Sequence, residues 1–115
     1  MKNVVKNERK IYMYYTTTSS NKEARRIAKN LITNNLSVCI NVFPSVSSFY
    51  NDGNKFCKSN EVIMIIKSQI AKQEFIKNLK KIHNYEIPFI SIIESSCMSE
   101  KYIKWAYSQT FFSNS

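Results

Sequence analysis

The residues best suited to chemistry gather around the chain's one histidine. His83-Asn84-Tyr85-Glu86-Ile87-Pro88 puts an imidazole, a phenol and a carboxylate within four positions. Neutral imidazole is the commonest protein ligand for zinc or copper, and Glu86 would add an oxygen, yet a tight site takes three or four donors. His83 with Glu86 is therefore a candidate site for copper or another divalent cation, to be completed from elsewhere. The plainer reading is a histidine at a helix end, where the negative pole of the macrodipole favours it. Spacing alone favours the plainer one.

Nucleophilic and acid–base chemistry have less to stand on. Cys39, Cys57 and Cys97 are far apart, with no C-x-x-C pair, so they suggest small hydrophobes in a reduced, cytoplasmic protein rather than a disulfide framework or a zinc ribbon. Glu61, Glu86 and Glu94 fall in different segments, and the single glycine excludes a glycine-rich phosphate cradle. No catalytic residue is assigned, and the chain is not expected to be an enzyme.

The elements that must position these groups read clearly. Ile11 to Thr17 is dense in β-branched and aromatic types and reads as a strand. Ser20 with Glu23 forms a capping box, and Ala24, Ile27, Ala28, Leu31 and Ile32 make one apolar helical face ending at Asn34-Asn35. From Leu36 the period becomes two, through Val38, Ile40 and Val42, then past Pro44 to Val46, Ser48 and Tyr50. Pro44 marks an edge, bend or bulge, and Asp52-Gly53 supplies the positive φ angles of a hairpin turn. The partner strand runs from about Phe56 to Ser68, a second helix from about Ile70 to Ile82, a last strand from Ile87 to Glu94, and a short helix starts near Ser99 with Tyr102, Ile103 and Ala106 as its buried stripe.

The order is βαββαβ plus a terminal helix, which in an α+β chain of 115 residues is the ferredoxin-like sandwich. Residues 11–112 read as one such domain, preceded by a flexible basic extension over residues 1–10. Two helices cover one face of the sheet, but EVIMIIKS and IPFISII are apolar at both parities, so the other face also expects a cover. Association of copies through that face is the economical answer. The alternative is the terminal helix, with Trp105, Phe111 and Phe112, folding back over it.

The formal charge of +9 invites nucleic acid as a partner. An RNA-recognition motif shares this element order, but it stacks bases on rings from both central strands; here Tyr12, Tyr14 and Tyr15 face a VIMII run with no ring. The cations fall on helix faces, and the abundance of Lys, Ile and Asn suits an AT-rich genome. A solvated surface is the expectation, with nucleic acid unfavoured and no apolar stretch long enough for a membrane helix.

Taken together, Leu36-Ser37-Val38-Cys39-Ile40-Asn41, Ser48-Phe49-Tyr50, Lys55, the Glu61 to Ser68 strand, His83-x-Tyr85-Glu86-x-Pro88, Ala24 to Ala28 and Tyr102-Ile103-Lys104-Trp105 resemble the CutA divalent-cation-tolerance family over residues 11–107. The resemblance implies a tight homotrimer with PII-like architecture, the hairpin joining the subunit contacts, tolerance of copper and other divalent cations, and no enzymatic activity. It places Ser48, Tyr50, Glu61, Lys67, Tyr85, His83 and Glu86 at a ligand cleft or between subunits, with Glu61 or Glu86 as the natural partner of Lys67. Where members with a described copper site carry a cysteine and two adjacent histidines, this chain has Tyr15, Ile82 and His83. In place of the family's Trp-x-Gly-Lys turn stands Asn51-Asp52-Gly53-Asn54-Lys55. A different class of reading remains open: a trimeric PII-like signalling or scaffold module that binds another protein, without a metal role.

Overall fold

A computed structural model describes residues 9–94 and 98–112; the expectations for residues 1–8 and for Cys97 lie outside them. The elements are β1 (Tyr12–Thr18), α1 (Asn21–Thr33), β2 (Cys39–Asn51), β3 (Phe56–Ser68), α2 (Lys72–Ile82), β4 (Ile90–Ile93) and α3 (Glu100–Ser108). The strands form one antiparallel sheet in the order β2-β3-β1-β4. This is the expected ferredoxin-like α+β arrangement.

Period-two patterning decides which side of the sheet meets the helices. Tyr14, Thr16 and Thr18 of β1 and Val62, Met64, Ile66 and Ser68 of β3 are buried, and the apolar members pack with Ala24, Ile27 and Leu31 of α1 and Phe75 and Leu79 of α2. At the centre Tyr14 stacks on Phe75, ring centroids 4.0 Å apart, and its hydroxyl donates to the Ile70 carbonyl at 2.7 Å. Burial pushes that phenol up to about 12, so it stays a neutral donor.

Local chemistry sets the boundaries. At the start of α1, Ser20 Oγ accepts from the Glu23 amide at 3.1 Å, while the Glu23 carboxylate turns to Arg26 at 2.8 Å rather than closing the reciprocal arm of the box. At its end Asn35 has φ +59°, and the amides of Asn35 and Leu36 return to the Ile32 and Leu31 carbonyls at 3.1 and 2.8 Å, a left-handed cap. β2 starts three residues later than read, because Ser37 Oγ and the Val38 amide both go to the Lys67 carbonyl, at 2.7 and 3.0 Å. α2 starts later too, since Ser68 Oγ takes the Ile70 amide at 2.9 Å and Ala71 is the cap. β4 is half the expected strand: Pro88 has no amide proton to pair, and Ile87 is 89% exposed.

The hairpin differs in phase as well. Asp52 and Lys55 exchange both backbone hydrogen bonds, at 3.0 and 3.2 Å, so the two central residues are Gly53 (φ +58°) and Asn54 (φ +69°) rather than Asp52 and Gly53. Both are left-handed, as a type I′ turn requires. Between Phe43 and Val46 the register with β3 slips at Pro44 and Ser45, the latter at φ +62°. This bulge gives β2 one residue more than its partner and exchanges its faces. Before it Asn41 and Phe43 share a side with Ile65 and Ile63; beyond it Val46, Ser48 and Tyr50 do so with Glu61, Ser59 and Cys57.

The side of the sheet away from α1 and α2 carries Tyr15 and Thr17 of β1, Phe43 of β2, Glu61, Ile63, Ile65 and Lys67 of β3, and Ile93 of β4. α3 reaches over one end of it through Tyr102, whose ring lies 5.6 Å from Lys67 Nζ. The fold-back is thus partial: Trp105 and Phe112 stay exposed, at 46% and 78%. Tyr107 of α3 ties down the start of the described chain, its hydroxyl bonding both the amide and the carbonyl of Lys10 and its ring facing Arg9.

Candidate functional site

Where the two-stranded arm of β2 and β3 leaves the sheet, Glu61 gathers hydroxyls from three other segments. The Tyr85 phenol, from the loop between α2 and β4, donates to Glu61 Oε2 at 2.6 Å. The hydroxyls of Ser48 on β2 and Thr17 on β1, on the same face of the sheet, also favour the charged form of this carboxylate. Partial burial pushes Glu61 up, but these hydroxyls outweigh it and leave the carboxyl below its ordinary range, so it is an anion at neutral pH. Burial and the Glu61 anion both hold the Tyr85 phenol far up, with Tyr50 adding to them.

His83 caps the C-terminus of α2 and is 9% exposed. Its Nε2 faces the Thr17 carbonyl at 2.9 Å and Thr16 Oγ1 at 3.1 Å, while Nδ1 accepts the Tyr85 amide at 3.0 Å. Thr16 gives its own proton to the Phe89 carbonyl, so both Nε2 partners are acceptors. The imidazole is therefore neutral with its proton on Nε2. Burial is the main cause holding its pKa below 6.5, with Arg26 adding to it against Thr17 and Glu23. Arg26 also donates to the Ile82 carbonyl at the helix end, at 2.6 Å.

The residues singled out in the sequence thus separate into two places and a remainder. Glu61 and Tyr85 meet, Ser48 and Tyr50 lie on the face of Glu61 further along the arm, and His83 holds Tyr85 from behind, ring centroids 5.1 Å apart. Lys67 does not join them: six residues further along β3, roughly 20 Å, it lies over Tyr102. The carboxylate partner expected for it, Glu61 or Glu86, is replaced by an aromatic face, because Glu61 is taken by hydroxyls at the other end of the strand. Glu86 is exposed and makes none of the contacts of His83. The reading missed Thr16, Thr17 and Asn84, which holds Thr18 and Ser19. Three successive threonines ending a core strand were the available signal, since alternate hydroxyls must serve opposite faces of the sheet.

A divalent cation is poorly served within one chain. Both His83 nitrogens are engaged, and among the described residues no three His, Cys, Asp or Glu side chains come together. Cys39 and Cys57 are free thiols.

Acid should act on this region in two stages of the same sign. His83 and Glu61 both have folded pKa values below their ordinary ones, 6.5 and 4.5, so each contributes stability that is complete above its ordinary value and lost as pH falls through the folded one. Urea midpoints are expected to fall first below pH 6.5 through His83 and again below pH 4.5 through Glu61. Tyr85→Phe should flatten the second stage and leave the first, and a midpoint unchanged from pH 7 to 4 would contradict both assignments.

The fold and site define a class: a ferredoxin-like subunit with one sheet face largely uncovered and a long two-stranded arm. The family model described as CutA1 divalent ion tolerance protein matches residues 12–109. The divalent-cation tolerance protein CutA of Archaeoglobus fulgidus is 34% identical over 92 residues, 79% of this chain and 89% of that protein. The chloroplastic CutA of Arabidopsis thaliana is 24% identical over 84% of this chain, which spans only 53% of its length. Among solved structures, CutA1 of Ehrlichia chaffeensis superposes with a TM-score of 0.78 at 26% identity, covering 89% of this chain and 96% of that one. The structure of CutA from Archaeoglobus fulgidus, described as periplasmic, gives 0.75 at 29% identity over 86% and 97%. The chain belongs to the CutA divalent-cation tolerance family. Among the described residues no helix is long and apolar enough to cross a membrane.

Proposed function

We propose that this chain is a cytoplasmic, non-catalytic divalent-cation tolerance protein that works as a homotrimer. Its open sheet faces and arms are buried between copies, and the cluster of Ser48, Tyr50, Glu61 and Tyr85 lines a subunit cleft that takes a small ligand or a divalent cation weakly. The apolar open face carries this reading. Tyr15, Phe43, Ile63, Ile65 and Ile93 lie on it, a contiguous apolar patch of the kind that marks an association surface. The arm adds Phe49 and Phe56, stacked at 5.6 Å and 59% and 85% exposed. Size exclusion with light scattering tests it: a trimer of about three chain masses is expected at micromolar concentration, and a clean monomer overturns it.

At the cleft, Glu61 rather than His83 supplies the charge for a cation. A copper-type site on His83 and Glu86 would need His83 to give up the Tyr85 amide or the Thr17 carbonyl and would draw its further donors from a neighbouring copy. The engaged nitrogens also favour the second reading, a PII-like scaffold for another protein without a metal role. Calorimetric titration of the metal-free protein with copper is expected to give the same weak binding for the natural chain and for His83→Ala. Strong binding that His83→Ala abolishes would return the metal to His83.

A further inference from the structure

The positive charge is not spread evenly over the folded chain. Among the described residues α1 and α2 hold eight of the fifteen Lys and Arg side chains but two of the seven carboxylates, and with them six of the eight net positive charges. All eight cations are exposed. Spacing sets where they stand. Lys22, Arg26 and Lys29 follow one another at four and three residues, opposite the buried Ala24, Ile27 and Leu31, and Lys77, Lys80 and Lys81 lie opposite Phe75 and Leu79 in the same way. The two helices cover one side of the sheet and are tied by Arg26, which donates to the Ile82 carbonyl at 2.6 Å, so the two rows form one basic surface. Glu23 neutralises only Arg26, at 2.8 Å, the one ion pair among the described residues. None of the large hydrophobic side chains exposed among the described residues belongs to α1 or α2.

We propose that this helix face is a docking surface for the phosphate backbone of a double-stranded nucleic acid, held without regard to base sequence. Charge complementarity selects a polyanion, and a duplex is the densest linear one, with a charge every ~1.7 Å of axis, about twice the density of a single strand. The lack of exposed apolar side chains decides among anionic partners. A stable protein interface has an apolar core, a helix lying on a membrane inserts an apolar face, and a single strand is held largely by stacking on rings; this face offers none of these. The sheet's lack of paired rings speaks against base reading, which a phosphate surface does not need. The solvated surface expected from the sequence is thereby given a partner. Because the helices lie on the side of the sheet away from the face proposed for association, the surface is the same in a lone subunit and in a trimer.

The probe is a fluorescent DNA duplex of mixed sequence, titrated with the full chain in its natural assembly and followed by anisotropy. Its affinity is expected to fall roughly 100- to 500-fold between about 50 and 200 mM salt, the effect of four or five phosphate contacts at a slope of about −0.9 each. Lys29→Gln combined with Lys77→Gln should make that slope shallower by about two. Lys101→Gln combined with Lys104→Gln removes the same net charge from exposed positions of α3 and should leave it unchanged. Gln matches Lys in helix propensity, so all four substitutions leave the fold intact. Phosphatidylserine vesicles and poly-glutamate are titrated in parallel. No complex with the duplex at about 50 mM salt, tighter binding of the vesicles or of poly-glutamate than of the duplex, or an equal loss from the two pairs of substitutions overturns the proposal.

Discussion

Ile65→Asp is expected to turn a species of about three chain masses into a monomer that is still folded. Ile65 sits mid-sheet on the open face, between Tyr15 of β1 and Asn41 of β2, and it contributes nothing to the cluster beneath the helices. A carboxylate there is solvated in a lone subunit, but between copies it would be a buried charge without a partner, costing several kcal/mol per subunit. Light scattering reads the mass and circular dichroism reads the fold. If Ile65→Asp keeps the mass of the natural assembly, subunits do not meet through this face; if it loses secondary structure as well, the face is needed for folding rather than for association alone.

Phe75→Ala should be the most damaging change in the helix layer, lowering stability by about 3–5 kcal/mol. Phe75 is fully buried and is the ring on which Tyr14 stacks, so its loss leaves a cavity over the central strand and also removes an aromatic pair. Tyr14 cannot swing in to fill the space, because its hydroxyl is held by the Ile70 carbonyl. In guanidinium the midpoint should fall steeply with little change in slope, measured at one protein concentration because assembly contributes to stability. A loss under about 1 kcal/mol would mean that the layer repacks and that the stack is not the keystone its geometry makes it.

How far the sequence reveals this molecule depends on the range of the interactions. The two helices, the long strands and their order follow from periodicity, since Ala24, Ile27 and Leu31, or Val62, Met64 and Ile66, report their burial by spacing alone. Boundaries set by single hydrogen bonds do not. That Ser37 would take a carbonyl from the ladder, that Ser68 would hold back the start of α2, or that the turn would centre on Gly53 and Asn54 depends on partners up to 30 positions away. The candidate site shows the same division. Tyr85, Glu61 and Ser48 carry their chemistry in their residue types, but nothing local says that they meet or that Lys67, on the same strand and the same face, lies with Tyr102 instead. The state of His83 was legible least of all, since its tautomer is fixed by a threonine run 66 positions earlier.

The bulge at Pro44 and Ser45 gives the arm a reading frame. Because β2 carries one extra residue there, odd-numbered side chains lie on the open face before it, and even-numbered ones lie on the face of Glu61 beyond it. Were Pro44 and Ser45 both drawn into regular alternation, the shift would act on the arm as a frameshift acts on a message, turning Phe49 toward the face of Glu61 and Ser48 away from it, with no residue of the arm itself altered. Deleting one of the two would instead leave a regular strand with Val46 still opposite Glu61. How the extra residue is accommodated at Pro44 and Ser45, remote from the tip, thus decides the arm's surface.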